Sequence, residues 1–426
     1  MIIEFTVGNF LSFNEKRTVN FEAKGSVSEL KDNFFTFGKQ NLLRSIVLYG
    51  ANSSGKSNLI KAFAIMKDCV ISSIKLNNND PLLFQPFKLA KNSVYEPTFF
   101  EVVFVLEKQI FRYGFEYNSK TIINEWLFEM KNKKENPLFI RTKEGIGVSD
   151  IFEEGKGKEN ATNDNRLFIS LVAQLSGKIS NRILQWFSDY NVLSGLENDL
   201  LPSGIYNNEY KKLSLEMLSG KLDGYELALK LFKDLKLGFA DIEIIETDGE
   251  RFHKYRLSTG QSVLDTAKSN KTLNTVHNKY DNRGNIIDTI SCNNEIHESE
   301  GTKKIIDFSG PIFDTLNLGK ILIVDELDSS LHPLITMQII KLFNHPETNP
   351  NGAQLLFATH DTNLLSTDIF RRDQVWFTEK DEVEQTDLYS LDDFVFPDGT
   401  KVRKDANLEK NYIAGRYGAI PYITNF

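Results

Sequence analysis

Cysteine is almost absent from this sequence of 426 residues, which contains only Cys69 and Cys292. The two cysteines stand in unrelated contexts and have no metal-ligand spacing. The chain starts Met-Ile-Ile-Glu-Phe, which lacks the basic segment and the apolar core of a secretory signal. We therefore expect a protein of the reducing cytoplasm.

Long apolar runs and excess positive charge are also missing. No run of about 18 apolar residues occurs, so a membrane-spanning helix is not expected. The net charge of −8 and a pI near 5.5 argue against a chain that binds nucleic acid through its bulk charge. Small basic clusters at 131–134 and 401–404 leave local contact with nucleic acid open. The chain also lacks long heptad runs and internal repeats, so long coiled-coil arms are not expected.

The clearest pattern that the sequence contains is a glycine-rich segment at residues 50–57. An apolar run at 46–49 precedes it, and apolar residues at helical spacing follow it as far as residue 74, which predicts a strand, a loop and a helix. In this context the match to G-x-x-x-x-G-K-S indicates a phosphate-binding P-loop rather than a chance string. The residues predicted to surround the phosphates are Gly50, Asn52, Ser53, Ser54, Gly55, Lys56 and Ser57. Lys56 would reach the β- and γ-phosphates, and the Ser57 hydroxyl would bind Mg²⁺.

Two further apolar runs end in groups that can act on a nucleotide. Residues 321–326 read Ile-Leu-Ile-Val-Asp-Glu, which predicts a buried strand with two carboxylates at its C-terminal end. Asp325 would hold Mg²⁺ through water beside Ser57, and Glu326 would polarise an attacking water as the general base. His360 ends a second such run and would contact the γ-phosphate or position that water. Combined with a P-loop, these residues predict nucleotide hydrolysis.

The rest of the chain suggests a nucleotide-binding unit in two halves with an insertion between them. Strands are predicted after the P-loop helix, whereas residues 131–165 are rich in Lys, Glu, Asn and Gly and suggest exposed hairpins or a mobile loop. Helical spacing follows, and strands resume after residue 241. The predicted strands are 1–7, 98–106, 110–117, 121–131, 242–246 and 255–257, and the predicted helical segments are 166–189 and 213–237. We therefore expect an N-terminal half at 1–130, an insertion with a loop and a helical subdomain at 131–240, and a C-terminal half at 241–426.

Taken together, these motifs resemble the head of ABC-type ATPases, in particular bacterial SMC-like and OLD-like ATPases of the AAA and abortive-infection type. Residues 9–13, 325–333 and 415–421 also resemble that group, and the resemblance covers roughly 1–127 and 298–426. It implies an α/β P-loop NTPase head with mixed parallel and antiparallel sheets and a mainly helical insertion. It also implies ATP and Mg²⁺ as the nucleotide and the metal.

The resemblance further implies a signature helix, whose serine and glycine contact the nucleotide of a partner subunit. The string Leu-Ser-Thr-Gly-Gln at 257–261 has the better spelling, but it lies too far before Asp325 for a helix that runs straight into the next strand. Ser299 and Gly301 open a helix-like segment that leads directly into that strand, and we choose them for this reason. Gln85 is the candidate for the glutamine that links Mg²⁺ to the rest of the subunit.

The resemblance also bears on biological role. A family signature that acts across an interface implies a head-to-tail dimer closed around ATP. OLD-like proteins carry a TOPRIM nuclease domain, but residues 361–426 are too few for one with its own core. We therefore expect an antiphage defence ATPase that acts on a separate effector, such as a TOPRIM-type nuclease. An SMC-like DNA-repair head and a nucleotide-gated scaffold with little turnover stay as alternatives.

Overall fold

The computed structural model describes residues 1–131, 134–195, 207–256 and 262–421. Its strands, in chain order, are β1 (Ile2–Gly8), β2 (Arg17–Asn20), β3 (Phe34–Phe37), β4 (Gln40–Leu43), β5 (Ser45–Tyr49), β6 (Thr98–Leu106), β7 (Gln109–Tyr117), β8 (Ile122–Lys131), β9 (Lys134–Thr142), β10 (Gly145–Val148), β11 (Asn191–Ser194), β12 (Asp241–Arg256), β13 (Ser262–Tyr280), β14 (Ile286–Asn293), β15 (Ile321–Asp325), β16 (Gln354–Ala358), β17 (Val375–Lys380) and β18 (Thr386–Ser390). Its α-helices are α1 (Lys56–Ser72), α2 (Phe168–Gln174), α3 (Lys178–Asp189), α4 (Asn207–Leu218), α5 (Tyr225–Asp234), α6 (Asn294–His297), α7 (Glu300–Leu318), α8 (Pro333–Asn344) and α9 (Leu408–Ile413).

A mainly parallel sheet forms the centre of the fold, with the strand order β11-β15-β16-β5-β17-β18. The first five strands run parallel, and β18 returns antiparallel to β17. Because β16 lies between β5 and β15, the C-terminal ends of these three strands meet at one edge of the sheet. Ligands of parallel α/β sheets bind at this edge.

Both faces of the central sheet are buried, which explains why β5, β15 and β16 are uninterrupted apolar runs. Along β15, Ile321 and Ile323 belong to one hydrophobic core, and Leu322 and Val324 belong to another. The first core includes α1 and the antiparallel sheet, whereas the second includes α7 and α8. Helix α1 is therefore held between two sheets.

The second large sheet is antiparallel, with the order β10-β9-β8-β7-β6-β1-β2. The strands predicted at 98–106, 110–117 and 121–131 are confirmed as β6, β7 and β8. The sheet continues through β9 and β10, past residue 130, where the sequence suggested a boundary. Its continuation has a physical cause, because Leu138, Phe139 and Phe152 from the polar-looking segment are buried in the first core.

The middle of the chain packs directly on the rest of the fold, through two helices and one strand. The predicted helical segment 166–189 is two helices, broken where Ser176 has a left-handed φ of 67°. Both helices pack on α1, and β11 then pairs with β15 in the central sheet. A three-stranded antiparallel arm, β12-β13-β14, precedes α6 and α7, and its first strand extends from Asp241 to Arg256, with a shift in register between Asp248 and Arg251. Of the described helices, none has the length and apolar character needed to cross a membrane.

Helix α7 depends on a close approach to α4 at Gly310, and this contact yields a prediction. The Gly310 N–H donates to the Ser214 hydroxyl at 2.9 Å, and a Cβ on Gly310 would overlap the Ser214 backbone. We expect Gly310→Ala to lower stability by about 1–3 kcal/mol, because overpacking outweighs the gain of about 1 kcal/mol in helix propensity. Thermal unfolding measures this effect. Gly25→Ala, at a site with open space, is the control, and a Gly310→Ala protein that melts no lower than the control would contradict the prediction.

Candidate functional site

The P-loop adopts a backbone that its glycines make possible. It leaves β5 after Tyr49 and enters α1 at Lys56, and φ is positive at Gly50 (156°), Ser53 (63°) and Gly55 (119°). Residues other than glycine rarely adopt such backbone angles. Asn52 and Ser53 are exposed at the turn, whereas Ser54 and Gly55 are buried.

The hairpin β17–β18 clamps the P-loop from one side. Cβ atoms on Gly50 and Gly55 would overlap Thr378 and Thr386 respectively, so both positions require glycine for space as well as for φ. The Ser54 hydroxyl lies 2.6 Å from that of Thr378, and the Thr386 hydroxyl donates to the Ser54 carbonyl at 2.8 Å. These bonds fix the shape of the loop.

Lys56 is buried at the start of α1 and points back over the loop. Its ammonium donates to the carbonyls of Gly50 at 2.8 Å and Ala51 at 3.1 Å. Burial lowers the pKa of Lys56 to about 8, against the opposing effect of nearby carboxylates, of which Asp325 is the strongest. The cation therefore lies between the P-loop and the acidic ends of the neighbouring strands.

Asp325 ends β15 and is buried beside Ser57. Burial raises the pKa of Asp325, while a hydrogen bond from the Ser57 hydroxyl lowers it. The carboxylate oxygen Oδ1 of Asp325 is buried and accepts no hydrogen bond from the residues that the structure describes. A hydroxyl and a carboxylate oxygen with spare acceptor capacity are suitable ligands for Mg²⁺, so these two residues fit the metal.

Glu326, Asp328 and His360 complete the acidic edge. Glu326 has a left-handed φ of 52°, which turns the chain sharply away from β15. The Asp328 carboxylate accepts the His360 backbone N–H at 3.4 Å and so joins the loop after β15 to the end of β16. Partial burial and the Lys56 cation lower the pKa of His360, although much of its surface is exposed. His360 is therefore mainly neutral at pH 7.

The helix predicted after Ser299 is confirmed as α7. The Ser299 hydroxyl accepts the Thr302 N–H at 3.2 Å, so it caps the helix, and Ser299 itself is exposed. A Cβ on Gly301 would come within 2.8 Å of the Ser330 carbonyl, so the helix start packs against the loop after β15 in its own chain. The competing Leu-Ser-Thr-Gly-Gln string at 257–261 lies outside the described residues. Ser299 and Gly301 as nucleotide contacts therefore stay a prediction.

Gln85 lies near the N-terminal loop. Its backbone carbonyl accepts the Leu11 N–H at 2.8 Å, and its role toward Mg²⁺ stays a prediction. The same N-terminal loop reaches the P-loop helix through Ser12, whose hydroxyl accepts from Asn58 at 2.8 Å and lies 2.7 Å from the Thr386 hydroxyl. Phe10 and Phe13, in the same N-terminal loop, are fully buried.

Several residues that shape this site are not apparent in the sequence pattern. Thr378 and Thr386 are ordinary strand residues whose contacts with the P-loop are distant in sequence. Tyr412 donates to the Ala419 carbonyl at 3.0 Å, and burial raises its pKa to about 12, against the opposing effect of the nearby Gly50 backbone. Residues 415–421, close to Tyr412 in the chain, are among those that resemble the ATPase family. Their sequence gives no sign of a contact with the P-loop.

Comparison with known proteins identifies the family. Residues 45–366 match the family described as "AAA domain, putative AbiEii toxin, Type IV TA system". The chain belongs to this AAA family. The matched region starts at β5 and includes Lys56, Asp325 and His360, whereas the clamp hairpin β17–β18 lies beyond it. The fold of this AAA-family protein is an α/β P-loop NTPase fold, with mixed parallel and antiparallel sheets.

Solved structures of SMC heads are also similar. The SMC head bound to the C-winged helix domain of ScpA is 11% identical, with a TM-score of 0.45 over 91% of this chain and 97% of that chain. The SMC head domain from Thermotoga maritima is 11% identical, with a TM-score of 0.38 over 91% and 98% of the two chains. The SMC head from Pyrococcus furiosus, bound to the C-terminal domain of ScpA, is 12% identical, with a TM-score of 0.38 over 91% and 96%. No curated protein matches the chain.

The lowered pKa of Lys56 predicts how nucleotide affinity depends on pH. The Lys56 cation is present below a pKa of about 8 and is lost above it, so affinity for ATP should fall above pH 8, by at most about tenfold per pH unit. A fluorescent ATP analogue titrated between pH 6.5 and 9.5 measures this. Lys56→Ala should bind weakly at every pH without the additional fall, and parallel pH profiles for both proteins would contradict the assignment.

Proposed function

We propose that this AAA-family protein hydrolyses ATP in the presence of Mg²⁺. The observation that carries the proposal is the meeting of the P-loop with the acidic strand end, where the Ser57 hydroxyl and the Lys56 cation lie close enough to Asp325 to act on its pKa, and Lys56 also faces Glu326. A loop that binds phosphate beside a buried carboxylate and a possible general base is the arrangement that phosphoryl transfer to water requires.

Each residue at this edge has a role in the proposal. The P-loop N–H groups and Lys56 would bind the phosphates, while Ser57 and Asp325 would hold Mg²⁺. When bound, Mg²⁺ neutralises charge on the phosphates. Glu326 would accept the proton of the attacking water, and His360, which is mainly neutral, would orient that water or contact the γ-phosphate. Gln85 is kept as an additional metal ligand.

We further propose that two copies close head to tail around ATP. Asn52 and Ser53 of the P-loop, His360 and Ser299 are all exposed, so a second subunit could reach them. In the proposed dimer, Ser299 and Gly301 of one subunit meet the nucleotide held by the P-loop of the other. The exposed helix start at Ser299 supports this arrangement, because a helix N-terminus favours negatively charged groups.

Glu326→Gln tests hydrolysis and closure together. The amide keeps the shape of the side chain but cannot accept a proton, so we expect phosphate release to fall at least about 100-fold while ATP stays bound and dimers accumulate. Multiple-turnover phosphate release and sedimentation at saturating Mg-ATP measure the two effects. Lys56→Ala is the control, which should lose both turnover and dimers. A Glu326→Gln protein that stays monomeric would disprove the head-to-tail dimer, and one that keeps wild-type turnover would disprove the general base.

We also propose a role in antiphage defence, in which the ATPase controls a separately encoded effector such as a TOPRIM-type nuclease. The proposal is supported by the toxin–antitoxin description of the family and by the resemblance to abortive-infection ATPases. It rests on family analogy, since one ATPase fold serves many functions.

The neighbouring gene product provides the test of this division of labour. We expect cleavage of DNA or RNA only when the ATPase, its neighbour and ATP are all present, because the ATPase would supply the signal and its partner the nuclease. Gel assays of the proteins alone and together measure cleavage, with Lys56→Ala replacing the wild type as the control. Cleavage by this chain alone, or cleavage that needs no ATP, would contradict the proposed division of labour between the ATPase and its partner.

A further inference from the structure

The proposed general base stands on an unusual backbone turn. Glu326 has a φ of 52°, and Ser330, at the end of the same loop, has a φ of 59°. Residues other than glycine adopt this left-handed backbone conformation mainly where the surrounding structure imposes it. The direction of the Glu326 side chain therefore depends on whatever holds residues 326–330 in place.

Lys304, in the second turn of α7, contacts this loop from one side. Its ammonium donates to the Glu326 carbonyl at 3.4 Å and also to the Ser329 carbonyl. Only 9% of Lys304 is exposed, and among the described residues it forms no ion pair with a carboxylate. A buried cation satisfied by backbone carbonyls is costly to place in a protein, which makes its position informative.

Gly195, the residue that follows β11, contacts the same turn from another part of the chain. Its N–H donates to the Asp325 carbonyl at 2.6 Å, and a Cβ on this residue would overlap the Glu326 carbonyl oxygen. The Glu326 peptide is thus held by a glycine that leaves space for it and by a lysine that bonds to it. Gly301, three residues before Lys304, packs on the Ser330 carbonyl at the other end of the loop.

We propose that Lys304 is a positioning residue for ATP hydrolysis, which fixes the Glu326 turn to helix α7. The inference rests on the proposed function, and it adds a connection within one chain. The helix whose start would meet the partner's nucleotide is bonded, one turn later, to the backbone of its own general base. Closure of the dimer at Ser299 would in this way act on the direction of Glu326. Burial lowers the pKa of Lys304 to about 8, against the opposing effect of the nearby Asp328 and Glu326 carboxylates. Lys304 is therefore charged at pH 7.

Lys304→Met tests the connection, because methionine fills similar space without the charge or the donors. We expect kcat to fall about 100-fold, the cost of a small displacement of a reacting group, while affinity for a fluorescent ATP analogue changes less than about twofold. Lys341→Met, at an exposed lysine on α8, is the matched control and should change neither quantity. Lys304→Arg, which keeps the charge and the donors, should retain most of the activity.

A double-mutant cycle separates positioning from general damage. Because Lys304 acts through Glu326, Lys304→Met should cause no further loss of single-turnover hydrolysis in a Glu326→Gln protein. An equal loss in both backgrounds, or an unchanged kcat in Lys304→Met alone, would overturn the inference. If Lys304→Met does not fold, a Lys304→Arg protein that folds but loses kcat about 100-fold would overturn it as well.

The same measurements distinguish this inference from the proposed function. A wild-type protein that does not hydrolyse ATP overturns both. A wild-type protein whose turnover requires Glu326 but not Lys304 leaves the proposed function standing and overturns only the positioning role.

Discussion

The parallel pairing of β16 with β5 on one side and β15 on the other is the constraint on which the site depends. This pairing brings the P-loop and the acidic strand end to the same edge, although they are far apart in sequence. It is stable because both faces of these strands are covered, by α1 on one side and by α7 and α8 on the other. The closeness of the Ser57 hydroxyl to the Asp325 carboxylate is a consequence of this packing.

A second constraint acts on the P-loop itself. An isolated glycine-rich loop has many conformations, and ordering it on binding would cost conformational entropy. Here the hairpin β17–β18, through Thr378 and Thr386, and the C-terminal Tyr412 hold the loop in one shape. The entropy is thus lost on folding rather than on nucleotide binding, which is the advantage of preorganisation. The C-terminal segment therefore contributes to the site even though it lies beyond the matched family region.

The sequence predicted the parts of the fold whose signal is local. The P-loop strand and helix, the run ending at Asp325 and the helix capped by Ser299 each have a pattern that is readable within about 20 residues. The clamp threonines, Gly195 and Lys304 have no such pattern, because their roles arise from contacts between elements distant in the chain. The extension of the antiparallel sheet through β9 and β10 was missed for a related reason. Its segment is polar on average, and only the few buried residues such as Phe139 and Phe152 join it to the core.

The charges at the acidic edge indicate how the site would use its ligands. Asp325, Glu326 and Asp328 converge there, opposed by Lys56 and Lys304, and burial lowers the pKa of both lysines. Lys61 also acts on Asp325, so these charges nearly balance without a ligand, and the phosphates of ATP would add negative charge beside the carboxylates. Mg²⁺ at Ser57 and Asp325 would offset that charge, and the Asp325 oxygen Oδ1, which has no hydrogen-bond partner among the described residues, offers it a ligand. Metal and nucleotide are therefore expected to bind as a pair, with neither bound tightly without the other.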